Sequence, residues 1–278
     1  MSEAPGPISP SATSTIAGLY AEQFVPTTTP KGVVLITHGY AEHAGRYREL
    51  ANVIVRAGWA ALSYDVRGHG QSPGVRGYVD RFAHYLDDLA AMQTAARALV
   101  GNAPSGTAPN KAPLVLLGHS HGALITLRAL AGDHPPAVAH AIVSSPYLAL
   151  RLAVPSYKKL LARVASRVAP ELAQPNALRV EDLTSDRGKQ QERIADKLCL
   201  DVATARWFTE SAEAQDYVAQ HAHRITVPTT WLVAGDDRIA DPARSKAIAT
   251  RVPGATYHEL AGLKHEVFNE TTRAHVFA

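Results

Sequence analysis

Residues 113–122 read Pro-Leu-Val-Leu-Leu-Gly-His-Ser-His-Gly: an apolar run stops at a glycine, presents Ser120, and passes into the helix-forming stretch 123–130. A serine hydroxyl is a poor nucleophile at neutral pH, so chemistry at Ser120 needs a sharp strand-to-helix turn where a base can reach it and helix N–H groups can meet developing negative charge. Gly118 and Gly122, two positions before and two after the serine, keep Cβ atoms out of that cramped turn. Five residues alone are a weak signal, and their surroundings decide the reading.

Outward from this turn, buried-strand runs at 32–37, 59–64, 114–117, 141–144 and 230–234 alternate with amphipathic patterns at 46–57, 82–100, 122–131 and 242–250. Such alternation predicts an α/β fold, a mostly parallel sheet with helices on both faces. Residues 19–25 read as an antiparallel edge strand and 255–260 as the last strand. Between 145 and 226 the alternation breaks into helical periodicity punctuated by Pro146, Pro155, Pro170 and Pro175, with no strand. The expected layout is a disordered leader at 1–15, a core formed by 16–144 and 227–278, and a helical cap at 145–226 inserted over the carboxyl ends of the strands. Residues 101–113 read as a surface loop.

The 278 residues carry a net charge of +3, with 46% hydrophobic and 19% charged. That balance argues against a nucleic-acid partner, which would need a long basic run. Cys199 is the sole cysteine, which excludes an intrachain disulfide and a cysteine-based metal cluster; no metal and no cofactor is expected. No stretch approaches the about 20 apolar residues needed to span a bilayer, and residues 1–15 lack a basic start and an apolar h-region. A cytoplasmic location follows as the expectation, with transient peripheral membrane contact through the cap.

A serine nucleophile of this fold class needs an acid and then a histidine, in that chain order. The strand at 230–234 runs into Gly-Asp-Asp-Arg-Ile-Ala-Asp, 235–241, and Asp237 is chosen as the acid with Asp236 and Asp241 as alternatives. Asp241 precedes Pro242 and fits a helix N-cap. His265 follows the last strand, and its order and location lift it above the chain's other histidines. Oxyanion donors should be the peptide N–H of His121, after the nucleophile, and of Tyr40, in the loop after the strand at 32–37. The His38, His43, His119 and His121 side chains are assigned structural roles.

Taken together, the segments 38–47 (His-Gly-Tyr-Ala-Glu-His-Ala-Gly-Arg-Tyr), 64–72 (Tyr-Asp-Val-Arg-Gly-His-Gly-Gln-Ser), 118–122, 235–239 and 265–270 (His-Glu-Val-Phe-Asn-Glu) resemble, in order and spacing, the monoacylglycerol lipase and lysophospholipase branch of the α/β-hydrolases. The resemblance runs from Lys31 to Glu270. It implies the triad Ser120, Asp237 and His265, oxyanion donors Tyr40 and His121, a helical cap, no cofactor, and lipid-like monoacyl esters as substrates. Two departures touch the rim of the site: Tyr40-Ala41 where members often have Ala-Gly, and His121-Gly122-Ala123 where they often have Met-Gly-Gly. The chain stops soon after His265, which predicts a reduced last helix.

The expected activity is therefore hydrolysis of carboxylic esters through an acyl-enzyme, with monoacylglycerol as the leading substrate. Leu148 and Leu152, in the apolar stretch 148–154 before Lys158, Lys159 and Arg163, are the candidate acyl-chain contacts. Lysophospholipids or short-chain esters are the alternatives within the class. An acyltransferase or a non-catalytic receptor on the same fold stands further off.

Overall fold

The computed structural model describes residues 5–101, 112–151 and 154–278; most of the expected loop at 101–113, and Leu152, lie outside them. Ten strands are described: β1 Ala12–Ile16, β2 Leu19–Phe24, β3 Val33–Thr37, β4 Ala60–Tyr64, β5 Leu114–His119, β6 His140–Ser144, β7 Ala173–Pro175, β8 Val202–Thr204, β9 Thr229–Ala234 and β10 Ala255–Leu260. The α-helices among the described residues are α1 Arg48–Arg56, α2 Ala83–Gly101, α3 His121–Leu130, α4 Ser156–Val168, α5 Val180–Leu183, α6 Arg187–Ala195, α7 Ala205–His221, α8 Pro242–Ala249 and α9 Arg273–Phe277.

Eight strands form one sheet in the order β1-β2-β4-β3-β5-β6-β9-β10. β1 and β2 pair antiparallel, as do β2 and β4, and every later pairing is parallel. The pleat divides the core. On β3, Val33 and Leu35 face a layer with Leu89 and Met92 of α2 and Leu124 and Leu127 of α3. Val34 and Ile36 face the other layer with Leu50 and Ala51 of α1 and Phe268. Because both faces are covered, β3 and β4 are buried throughout and read as mainly apolar runs, with Thr37 and Ser63 as the polar members.

Two expectations need correction. The leader at 1–15 is not disordered to its end: Ala12–Ile16 pairs with Leu19–Phe24 through a turn at Ala17 and Gly18, whose φ values are 49° and 84°. Two left-handed residues suit the twist of a tight hairpin. The strand Ala-Thr-Ser-Thr-Ile was hidden because an exposed edge strand needs few apolar residues; β2 consequently lies one place inside the edge. Nor is the stretch 145–226 free of strands, since β7 and β8 pair antiparallel there. Both are three residues long, too short to show a period of two.

The helix expected from residue 46 begins as one 3-10 turn, Ala44–Tyr47, before α1. Asp241 caps α8, its Oδ1 accepting the Ala243 N–H at 3.0 Å with Pro242 at the first helical position.

Candidate active site

Ser120 stands between β5 and α3 with φ 51° and ψ −112°, a conformation that costs a non-glycine residue about 1–3 kcal/mol and persists only where surroundings over-determine it. Three backbone hydrogen bonds supply that constraint. The Ser120 N–H donates to the Ser144 carbonyl at 2.9 Å, and the Ser120 carbonyl accepts from Leu124 at 3.1 Å and Tyr147 at 3.0 Å. A Cβ on Gly118 would lie 2.5 Å from the Gly122 carbonyl oxygen, and one on Gly122 would lie 2.1 Å from the Thr37 oxygen. Both contacts are impossible, so the turn demands glycine on either side, and the second demand comes from the neighbouring strand.

His265 sits in the loop after β10 with its Nε2 2.9 Å from the Ser120 Oγ and its Nδ1 2.7 Å from Asp237 Oδ2. Asp237 Oδ1 accepts the Ile239 and Ala240 N–H groups at 2.8 and 2.9 Å, which locks the carboxylate and leaves Oδ2 for the ring. All three side chains are buried. Asp236 is exposed and Asp241 is committed to its helix cap; among the described residues Asp237 is the sole carboxylate hydrogen-bonded to His265. Burial works against protonation of His265, but the charge and hydrogen bond of Asp237 outweigh it and raise the ring above its ordinary range. A serine O–H facing a basic nitrogen, with the opposite nitrogen held by a carboxylate, can transfer its proton to the ring as the oxygen attacks.

The parallel register pairs Thr37 with Gly118, bringing the loop after β3 against the serine turn. A Cβ on Gly39 would be 3.1 Å from the Ser120 Cβ, and Tyr40 follows directly. His121 is the first residue of α3, so its N–H has no intrahelical acceptor. The loop is clamped by Glu42, which accepts the Gly39 N–H at 2.6 Å, the Tyr47 hydroxyl at 2.7 Å and Arg46 Nε at 3.2 Å; Arg46 also reaches Glu266 at 2.5 Å.

Burial alone would raise the Glu42 carboxyl, yet the neighbouring His119, Arg46 and His38 hold it down at about 2. Burial and the charge of His265 push His119 to about 4. His119 is therefore neutral at neutral pH, and Arg46 with the hydrogen bonds keeps Glu42 ionised. His38 bridges the ends of β3 and β4, its Nε2 accepting the Val66 N–H at 2.9 Å, and His119 Nδ1 pairs with Ser144 Oγ at 3.0 Å.

Ser120 and His265 open into a cavity of about 780 Å³. Its lining includes the apolar or aromatic Tyr147, Leu150, Val154, Leu161, Val164 and Phe208 and the polar Glu42, Glu266, Arg193, Gln174 and Asn176. Leu148 is not among the lining residues: it is packed in the main core, with Tyr147 and Leu150 at the wall instead. Sequence periodicity could not say which of 147, 148 and 150 faced the space. Leu152 lies outside the described residues. Sequence reasoning also passed over Arg193 and Asp65. Asp65 accepts the Ala44 and Gln71 N–H groups at 2.7 and 2.6 Å, holding together two of the recognised segments; its signal was adjacency to Gly70, where a Cβ would strike the carboxylate.

Among the described residues, one cluster brings three metal-type donors within 4.8 Å: His43, Asp196 and Cys199. The His43–Asp196 contact is already closed at 2.6 Å, and Arg193 donates to Cys199 Sγ at 3.4 Å. A guanidinium beside the sulfur opposes a dication, so the donor set does not fit one.

The model of the family described as serine aminopeptidase, S33 matches residues 28–272. The chain belongs to this α/β-hydrolase family. Relatives include the phospholipase YtpA of Bacillus subtilis, 27% identical with 89% of this chain and 93% of that protein covered. A monoacylglycerol lipase of Mycolicibacterium smegmatis is 29% identical, with 89% and 85% covered. The crystal structure of a monoacylglycerol lipase from Paleococcus ferrophilus superposes with a TM-score of 0.81 at 27% identity, over 93% of this chain and 95% of that one. Membership of the α/β-hydrolases accounts for the sheet order and for the turn that carries Ser120. Among the described residues no helix is long and apolar enough to cross a membrane.

Proposed function

We propose that the chain is a serine esterase that hydrolyses monoacylglycerol-like lipid esters. The observation that carries this reading is the chain of two hydrogen bonds Ser120–His265–Asp237, whose serine end opens into a cavity lined mostly by apolar residues. Ser120 Oγ attacks the ester carbonyl while His265 Nε2 takes its proton. The peptide N–H groups of Tyr40 and His121 hold the oxyanion, and Asp237 balances the imidazolium. His265 then protonates the departing alcohol. Water, deprotonated by the same nitrogen, attacks the acyl-enzyme and frees the fatty acid.

The segment between β6 and β9 acts in this reading as a cap that selects the acyl chain, supported by the wall that Leu161, Val164 and Phe208 contribute. Each buried methylene is worth about 0.8 kcal/mol, so kcat/KM over esters of two to sixteen carbons should climb several-fold per two-carbon step and then level off. Leu161→Asp should depress long-chain esters far more than acetate or butyrate. A flat wild-type series, or equal loss on all lengths in the variant, would leave a small-ester hydrolase. Arg193 and Lys158 in the lining favour lysophospholipid as the second substrate to include, and the ratio of its kcat/KM to that of monoacylglycerol decides between the head groups.

Transient membrane contact belongs to the same reading. Tyr157, Leu160, Leu161, Val164 and Val168 of α4 are 51–77% exposed and recur at the spacing of one helix face, with exposed Lys158, Arg163 and Arg167 on the same helix. Binding to vesicles containing anionic phospholipid should weaken in Leu160→Glu, while turnover of dissolved butyrate esters stays within twofold. Equal vesicle binding by both proteins would remove α4 from that role.

A further inference from the structure

The two residues whose peptide N–H groups face the oxyanion carry ring side chains, and both rings run away from the reacting atoms into the segment between β6 and β9. The Tyr40 hydroxyl donates to the Val202 carbonyl of β8. Its ring lies on that of Trp207 in α7, with centroids 3.8 Å apart and planes tilted by 31°. A Cβ on Gly77 would stand 2.6 Å from the Tyr40 oxygen, so that position leaves room for the hydroxyl. Gly77 is itself tied to β8, its carbonyl accepting the Thr204 hydroxyl at 2.8 Å.

His121 makes the second attachment. Its Nε2 pairs with Ser211 Oγ of α7 at 3.3 Å, both residues being fully buried. The ring is boxed by Tyr85, Trp207 and Phe82 at centroid distances of 5.1, 5.2 and 5.9 Å. Burial drives its basicity well below the ordinary histidine range, so the ring remains neutral. Among the described residues the rings around it are Tyr85, Phe82, Trp207 and Tyr40, and the titratable neighbours His69 and His38 are themselves buried with their basicity lowered.

We infer that Tyr40 and His121 fasten the oxyanion site to the inserted segment, so that the seating of β8 and α7 sets how well the two N–H groups are aimed. Ser211 is then a positioning residue for the hydrolysis, acting through His121 and remote from substrate, and the Tyr40 hydroxyl acts in the same way through Val202. A side chain of Ala or Met at these two places would have no such hydrogen bond to offer. The inference rests on the proposed roles of Ser120, Tyr40 and His121, and it adds that turnover depends on Ser211 and Val202, neither of which lines the cavity. An N–H group displaced by a fraction of an ångström loses transition-state stabilisation while ground-state binding in the cavity is unaffected.

The test uses the full chain with Ser211→Ala, Ser211→Thr and Tyr40→Phe, none of which alters a peptide N–H. Loss of one buried hydrogen bond should lower kcat by about three- to tenfold, with KM within twofold. Ser211→Thr should recover most of the loss. Affinity for an alkyl trifluoromethyl ketone, whose hemiketal oxygen occupies the oxyanion position, should fall in parallel with kcat, and p-nitrophenyl acetate should lose as much as a long-chain ester. Unchanged kcat and ketone affinity in both Ser211→Ala and Tyr40→Phe would overturn the coupling, as would a loss confined to KM or to long chains. Labelling of Ser120 by a fluorophosphonate in every variant keeps the outcome separate from the underlying assignment: if wild type is not labelled there, the esterase reading itself has failed.

Discussion

Ser120→Ala is expected to lower kcat for ester hydrolysis by at least about a thousandfold, the scale on which removal of a nucleophile acts. The change deletes one oxygen and leaves the backbone at φ 51° carrying the same Cβ, so the fold has no reason to move. The three backbone hydrogen bonds that define the turn involve only the Ser120 N–H and carbonyl and survive. A fluorophosphonate, which loses fluoride as the serine oxygen bonds to phosphorus, should label wild type at Ser120 alone and the variant nowhere. The proposed oxyanion donors, the Tyr40 and His121 N–H groups, and the cavity would remain, and they would account for slow residual turnover. Near-normal turnover in a variant with unchanged circular dichroism would end the mechanism.

Asp237→Asn should be nearly as damaging, on the order of ten-thousandfold in kcat, because an amide at this place can present its N–H₂ to His265 Nδ1 and hold the ring in the wrong tautomer. Asp241→Ala should behave differently in kind, weakening the start of α8 by roughly 0.5–2 kcal/mol with turnover preserved. Loss of activity that followed Asp241 instead would show the acid had been misassigned. The same pair governs pH dependence. His265 must be neutral to accept the serine proton, and Asp237 raises its affinity for protons. Wild-type kcat/KM should therefore rise with pH along an acid limb whose midpoint lies above 6.5. Removing the carboxylate charge should move that limb to lower pH for the residual activity. A limb that stayed in place would mean another group titrates.

Residues 113–130 by themselves determined the strand, the turn and the helix around Ser120, because hydrophobic periodicity and paired glycines are local properties. Chain order and position after a strand singled out Asp237 and His265. The parallel sheet was legible for the same reason: strands covered on both faces are written as mainly apolar runs without alternation, as in β3 and β4. The edge strand β1 and the short pair β7–β8 were not legible, since partly exposed three- to five-residue strands carry too few apolar residues to declare a period.

Only the tertiary structure decided which side chains face the cavity. Leu148 looked as apolar as Leu150, yet one joins the core and the other the wall, a difference set by elements far away in the chain. It also decided what Gly122 is for, because the atom its missing Cβ would strike belongs to Thr37. Likewise, only folding brings Glu266 and Arg193 to the local pair Glu42–Arg46 and makes one buried set of charges. A contact that spans 220 residues, Arg46 to Glu266, leaves no periodic trace in a sequence, because nothing local requires either partner to be charged.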